Sequence, residues 1–96
     1  MNNIFTDTRL RSEIRQGLAK IGFIKPTPVQ EKVIPAMLKG ESVIVQAATG
    51  SGKTHAYLIP ILNAIDEDAR YVQAIVTAPS RELADQLYRV ARQLRD

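Results

Sequence analysis

Residues 47–54 read Ala47, Ala48, Thr49, Gly50, Ser51, Gly52, Lys53, Thr54, and no other stretch restricts the possible folds so tightly. Gly50 and Gly52 supply backbone free of side chains and able to take unusual dihedrals. Bare N–H groups that curve into a helix N-terminus hold the oxygens of a phosphate chain. In such a loop Lys53 would reach the outer phosphates and the Thr54 hydroxyl would ligate Mg²⁺. The geometry also requires a buried strand before the loop and a helix after it. Residues 42–46 are Ser42, Val43, Ile44, Val45 and Gln46, apolar and β-branched as a strand buried in a parallel sheet would be. After the loop, Ala56, Leu58, Ile59, Leu62 and Ile65 fall at helical spacing from Lys53 to about residue 65. A flexible Gly/Ser linker would have neither the strand before it nor the Lys-Thr pair. The strict motif has Gly where Ala47 stands, and Ala fits there with a negative φ.

With 96 residues, the chain allows one domain at most, burying roughly two-thirds of its unfolded surface. Cysteine is absent and His55 is the single histidine, which excludes a disulfide framework and argues against a thiolate or imidazole metal site. No apolar run approaches the roughly 20 residues of a membrane helix, and the N-terminus lacks a signal peptide's apolar core. These features point to a cytoplasmic protein. Thirteen basic residues against ten acidic ones give a net charge of +3, too small to establish nucleic-acid binding by itself. Arg89, Arg92 and Arg95 recur every third residue near the C-terminus, which fits either a solvated helix face or one that contacts phosphates.

Elsewhere the order of elements is readable. Leu10, Ile14, Leu18 and Ile21 share one face of a first helix, with Gly22 placed to end it and Gly17 an internal cost of up to about 1 kcal/mol relative to Ala. A second helix opens at Thr27 as cap, Pro28 in the first turn and Gln30 completing a capping box. Val33, Ile34, Met37 and Leu38 form its apolar stripe and Gly40 stops it; Pro35 inside it, like Pro60 in the third helix, predicts a kink. Residues 66–70 form a charged loop and residues 71–77 a second strand. Ser80 caps a last helix with the stripe Leu83, Leu87, Val90, Ala91 and Leu94. The order α-α-β-α-β-α predicts an α/β fold with a parallel sheet flanked by helices.

Two further segments narrow the class. Gly22, Phe23, Ile24, Lys25, Pro26, Thr27, Pro28, Val29 and Gln30 resemble the adenine-reading Q motif of DEAD-box RNA helicases, and Phe5 stands where that family carries a lone upstream aromatic. Ala78, Pro79, Ser80, Arg81, Glu82, Leu83, Ala84, Asp85 and Gln86 resemble the family's motif Ia, with Ser80 in place of Thr. The loop at 47–54 is similar to the family's Walker A form, which accounts for Ala47. The resemblance covers residues 5 to about 94 and carries three motifs in the family's order: Q motif 22–30, Walker A 47–54 and motif Ia 78–86.

The resemblance implies that Phe5, Lys25, Thr27 and Gln30 hold the adenine nucleoside of ATP. It further implies that Ala48, Thr49, Gly50, Ser51, Gly52, Lys53 and Thr54 hold its phosphates, with Mg²⁺ on Thr54 and with Lys53 and Thr54 serving catalysis. Pro79, Ser80 and Arg81 would contact RNA backbone, without sequence preference and with salt-sensitive affinity. The chemistry fits. An adenine edge offers an acceptor and an NH₂ donor side by side, and a Gln amide carries the complementary pair. Local roles compete with each assignment. Gln30 can serve the capping box alone, Phe5 can be an apolar plug on the first helix, and Arg81 can pair with Asp85 four residues on. Phe23 is read as packing, Glu82 as a helix-dipole partner, and His55 as packing with no functional role.

Hydrolysis of ATP would need a Walker B acid, a carboxylate that orients water and an arginine finger. The family supplies these from an Asp-Glu-Ala-Asp segment after motif Ia and from a second RecA-like domain. Asp66, Glu67 and Asp68 precede the second strand and fit none of these roles. The chain is therefore expected to be the N-terminal portion of the first RecA-like domain of an ATP-dependent RNA helicase, an incomplete P-loop NTPase fold, inactive when isolated. A DNA helicase of the same superfamily and a non-catalytic nucleotide- or RNA-binding module are the alternatives. The family's sheet would place further strands between residues 42–46 and 71–77, leaving unpaired edges in this chain alone.

Overall fold

In the computed structural model, residues 3–47, 50 and 52–95 are described; Ala48, Thr49 and Ser51, part of the expected phosphate loop, lie outside them. A single 3₁₀ turn, Ile4–Thr6, leads into α1 (Ser12–Lys20), α2 (Pro28–Leu38), α3 (Lys53–Ala64) and α4 (Arg81–Arg95).

Helix boundaries follow local chemistry. At α2 the full capping box forms: Gln30 N donates to Thr27 Oγ1 at 3.4 Å while Thr27 N donates to Gln30 Oε1 at 2.9 Å. Pro28 occupies the first turn, where its missing N–H costs nothing. Ser80 Oγ accepts from Leu83 N at 3.2 Å, so Ser80 caps α4. Gly22, at φ 83, follows the last turn of α1, and Phe23 N bonds back to Leu18 O at 2.8 Å.

The helices bury the stripes that the spacing predicts. Leu10, Ile14 and Leu18 meet Ile34, Leu58, Ile59, Leu87 and Leu94 in one cluster, closed from the N-terminus by Ile4 and Phe5. Each fully buried side chain of this kind contributes about 1.5–3 kcal/mol. α2 packs on α3, and α4 packs on α1 and α3. An asparagine ties the N-terminal segment to the end of α3: Arg11 N donates to Asn63 Oδ1 at 2.6 Å and Asn63 Nδ2 donates to Arg9 O at 3.0 Å. The Arg11 guanidinium adds a bond to Ile65 O at 2.7 Å.

The expected sheet is not formed. Residues 42–46 and 71–77 adopt no strand, and no strand occurs among the described residues. The two segments instead run over the outside of the helical layer, 43–47 along α2 and 71–74 beside the end of α3. Their apolar side chains face outward, with Ile44 fully exposed and Ile75 at 81% exposure. The physical reason lies in pairing. A strand exists only with a neighbour that satisfies its N–H and C=O groups, and these two segments form no ladder with each other.

Candidate nucleotide cleft

The residues around the loop at 47–54 converge through backbone geometry first. Gly52 is the cap residue of α3, in the left-handed region at φ 85, and Gly50 shares that region at φ 87. An L side chain at Gly52 would be strained by that dihedral. It would also have no room: an added Cβ would stand 2.6 Å from Gln30 Nε2 and 3.1 Å from Thr27 Oγ1. The start of α2 and the start of α3 are therefore in close contact at Gly52, where a methyl group could enter only by displacing the end of the Gln30 side chain.

Gln30 makes that contact a bond. Its side chain is 3% exposed, and Nε2 donates to Gly52 O at 3.1 Å while Oε1 accepts from Thr27 N at 2.9 Å. Both the capping role and the link to the loop thus belong to one amide. Lys53 Nζ donates across the loop to Ala47 O at 3.0 Å, and Lys53 itself remains exposed, so its ammonium keeps further N–H donors. Thr54 sits in the first turn of α3, half-buried.

A cleft of about 430 Å³ opens between these groups, walled by Gly22, Phe23, Ile24, Lys25, Thr27, Gln30, Gly50, Gly52 and His55. Small-molecule sites run from about 300 to 1,000 Å³, so its volume is sufficient for a nucleoside-sized body. Five of the sequence candidates, Lys25, Thr27, Gln30, Gly50 and Gly52, therefore line one space. Phe5 does not. It is 4% exposed and packs in the core against Phe23, ring centroids 5.9 Å apart. That is the plug-like placement, with Phe23 between it and the cleft.

His55, read from the sequence as packing, does pack, and it also borders the cleft. Its ring packs on Phe23 at 4.5 Å and 47°, it lines the cleft, and its buried Nε2 has no hydrogen-bond partner among the described residues. Burial pushes its pKa below the ordinary histidine value. The one available signal was its place directly after Lys53 and Thr54.

The donor chemistry fits Mg²⁺ only in part. Mg²⁺ takes oxygen ligands and is commonly held by one or two protein groups plus phosphates and water. Thr54 offers one hydroxyl, and no cluster of three or more metal-ligating side chains occurs among the described residues. A magnesium ion delivered on phosphate oxygens suits that set; a free ion does not.

The motif Ia candidates lie elsewhere. Pro79, Ser80 and Arg81 are exposed at the start of α4, none of them lining the cleft. No ion pair joins Arg81 to Asp85 among the described residues. Arg89 and Arg92 are exposed along α4, and the Arg92 guanidinium lies 5.8 Å from the Tyr88 ring centre.

Known proteins give the arrangement a context. The profile of the DEAD/DEAH box helicase family matches residues 27–96. The chain is 54% identical over 80 residues to the DEAD-box ATP-dependent RNA helicase CshB of Listeria monocytogenes, covering 81% of this chain and 18% of that one. It is 52% identical over 82 residues to CshB of Bacillus subtilis, covering 85% and 19%. The chain thus spans about a fifth of the length of these curated relatives. Among solved structures, a DEAD box protein from Methanococcus jannaschii matches with a TM-score of 0.87 at 39% identity, over 97% of this chain and 25% of that one. The RNA helicase Prp28 of Chaetomium thermophilum, bound to ADP, matches with a TM-score of 0.81 at 34% identity, over 98% and 24%. No helix among the described residues is long and apolar enough to cross a membrane.

Proposed function

This chain belongs to the DEAD/DEAH box helicase family, and from that premise we propose that it forms the adenine-nucleotide-binding N-terminal part of a cytoplasmic ATP-dependent RNA helicase. In this proposal it is part of the first RecA-like domain, and residues 42–46 and 71–77 become sheet strands when further strands pair with them. The base of ATP enters the cleft beside Thr27, Lys25 and Gln30. Residues 48–52 and Lys53 would hold its triphosphate, and Thr54 Oγ1 would ligate a Mg²⁺ carried on it. That ion supplies charge neutralisation to the phosphates.

What carries the proposal is the hydrogen bond from Gln30 Nε2 to Gly52 O at 3.1 Å. It joins an amide able to read an adenine edge to the loop able to hold phosphates, inside one cleft. Gln30 can exchange its bonds to Thr27 and Gly52 for the complementary acceptor and donor of adenine, so base recognition and loop position are linked through one side chain. The stacking role expected for Phe5 would require its ring to leave the core from behind Phe23. Pro79, Ser80 and Arg81 present the α4 N-terminus and a guanidinium to an RNA phosphate, a contact that positions RNA without reading its sequence. Hydrolysis draws on acidic and arginine groups from outside residues 1–96, so the isolated chain binds nucleotide without turning it over.

The test is nucleotide affinity in the longer protein. ATP is expected to bind more tightly than GTP or CTP, and Gln30→Ala to erase that preference. Lys53→Ala removes a charged contact worth about 1.5–3 kcal/mol, a loss of roughly ten- to a hundredfold. Equal affinity for the three nucleotides, with Lys53→Ala indistinguishable from wild type, refutes the proposal.

A further inference from the structure

Between α1 and α2 the chain forms one wall of the cleft through Gly22, Phe23, Ile24 and Lys25. The two ends of this crossing are fixed. Phe23 N donates to Leu18 O at 2.8 Å, and Thr27 N donates to Gln30 Oε1 at 2.9 Å. Between those points a single hydrogen bond reaches residues 24–26 among the described residues: Asn3 Nδ2 donates to Ile24 O at 2.8 Å, from 21 residues upstream. The Ile24 side chain does not anchor the stretch, since it is 77% exposed, and Lys25 is exposed beside it. Asn3 itself stands on a firm support. Its Oδ1 accepts from Phe5 N at 2.9 Å and its N–H donates to Thr6 Oγ1 at 3.0 Å, closing a capping box on the turn Ile4–Thr6. Ile4 and Phe5 root that turn in the core, with Phe5 against Phe23. A cap needs only the oxygen of the amide. The NH₂ group has no task in the turn and instead holds a carbonyl of the cleft wall.

We propose that Asn3 is a positioning residue for the nucleoside: through Ile24 O it keeps the stretch 24–25, and with it Lys25, in place as a wall of the cleft. The inference rests on the nucleotide assignment above and adds to it a residue outside the three sequence motifs. Asn3 does not line the cleft and touches no ligand. It acts on the population of molecules whose wall is in place, and apparent affinity falls in proportion to that population. The effect is therefore bounded by the worth of one neutral hydrogen bond, about fivefold. The bond acts on the wall at 24–25 and not on the backbone at 50–54. A ligand that carries phosphates and no nucleoside is thus indifferent to it.

The test is calorimetric titration of the longer protein with ADP and with inorganic tripolyphosphate. Asn3→Ser keeps a neutral oxygen for the Phe5 N–H and is too short to donate to Ile24 O. Asn3→Asp keeps the cap and the length but, ionised, has no donor. Both variants are expected to weaken ADP about three- to fivefold and to leave tripolyphosphate affinity at the wild-type value. In steady-state ATPase measurements both are expected to raise KM for ATP, with kcat at saturating ATP and KM for RNA unchanged. If one variant fails to fold, the other carries the test. A lowered melting temperature with wild-type affinity for ADP marks a purely structural role and overturns the inference. Weakening confined to Asn3→Asp and shared by tripolyphosphate marks the added charge and overturns it too. Wild-type ADP affinity in the Asn3 variants, alongside weakened ADP in Gln30→Ala, leaves the cleft assignment standing without this inference. Unchanged affinity in Gln30→Ala and Lys53→Ala as well overturns the cleft assignment, and this inference with it.

Discussion

At Gly52 two independent constraints meet on one atom. The dihedral at φ 85 disfavours any L side chain by about 1–2 kcal/mol, and the space where a Cβ would go is held by Gln30 and Thr27. Gly50 is a natural control, because it shares the positive φ but has nothing among the described residues within 4 Å of an added Cβ. Gly50→Ala is therefore expected to cost only the dihedral term. Gly52→Ala is expected to cost more, because the methyl pushes Gln30 Nε2 off the Gly52 carbonyl and opens the capping box of α2. Urea denaturation of the two variants in the longer protein measures the difference, and equal losses of stability would show that the Gln30–Gly52 contact is not tight. From sequence, the need for glycine here was readable as a loop requirement. That the opposing surface is Gln30 was not, since 22 residues separate the two groups.

At the scale of elements, what was legible was local. Thr27, Pro28 and Gln30 start α2 and Ser80 starts α4, because a cap is decided by residues within one turn of each other. The apolar stripes were legible for the same reason, through helical spacing. Gly17 marks where that reach ends. By propensity it is only a weak point in α1, and Gly17→Ala in an exposed helix would stabilise by up to about 1 kcal/mol. In the structure Gly17 is buried under the end of α4, and an added Cβ would lie 2.9 Å from Leu94 O. Backbone cannot give way as a flexible side chain does, and overpacking of this kind costs about 1–3 kcal/mol. Gly17→Ala is thus expected to lower the unfolding free energy, contrary to the propensity scale. A thermal melt of the longer protein settles the sign, and a stabilised variant would mean that α1 and α4 do not cross this closely.

For the molecule as a whole, the helices and the would-be strands follow different rules. The Cα radius of gyration is 13.0 Å, close to the roughly 13 Å of a compact domain of 100 residues, so the helical layer has collapsed on its own core. Residues 42–46 and 71–77 carry the composition of buried strands, yet Ile44, Val72 and Ile75 are exposed. Composition reports what a segment is suited to, whereas a strand needs a partner in register, and that information is not local to either segment. The consequence is a specific liability. Exposed β-branched runs with open N–H and C=O groups are templates for pairing between chains. The 96-residue chain alone is expected to bind a hydrophobic dye such as ANS, to self-associate as concentration rises, and to melt without a sharp cooperative transition. Ile44→Thr combined with Ile75→Thr keeps β-branching while removing two large apolar side chains from the surface. Neither residue belongs to the buried cluster, so the double variant is expected to reduce dye binding and association without loss of helical circular dichroism. Sedimentation velocity across a concentration series checks this. A wild-type chain that stays monomeric, excludes the dye and melts sharply would mean that the two segments find partners within the chain itself.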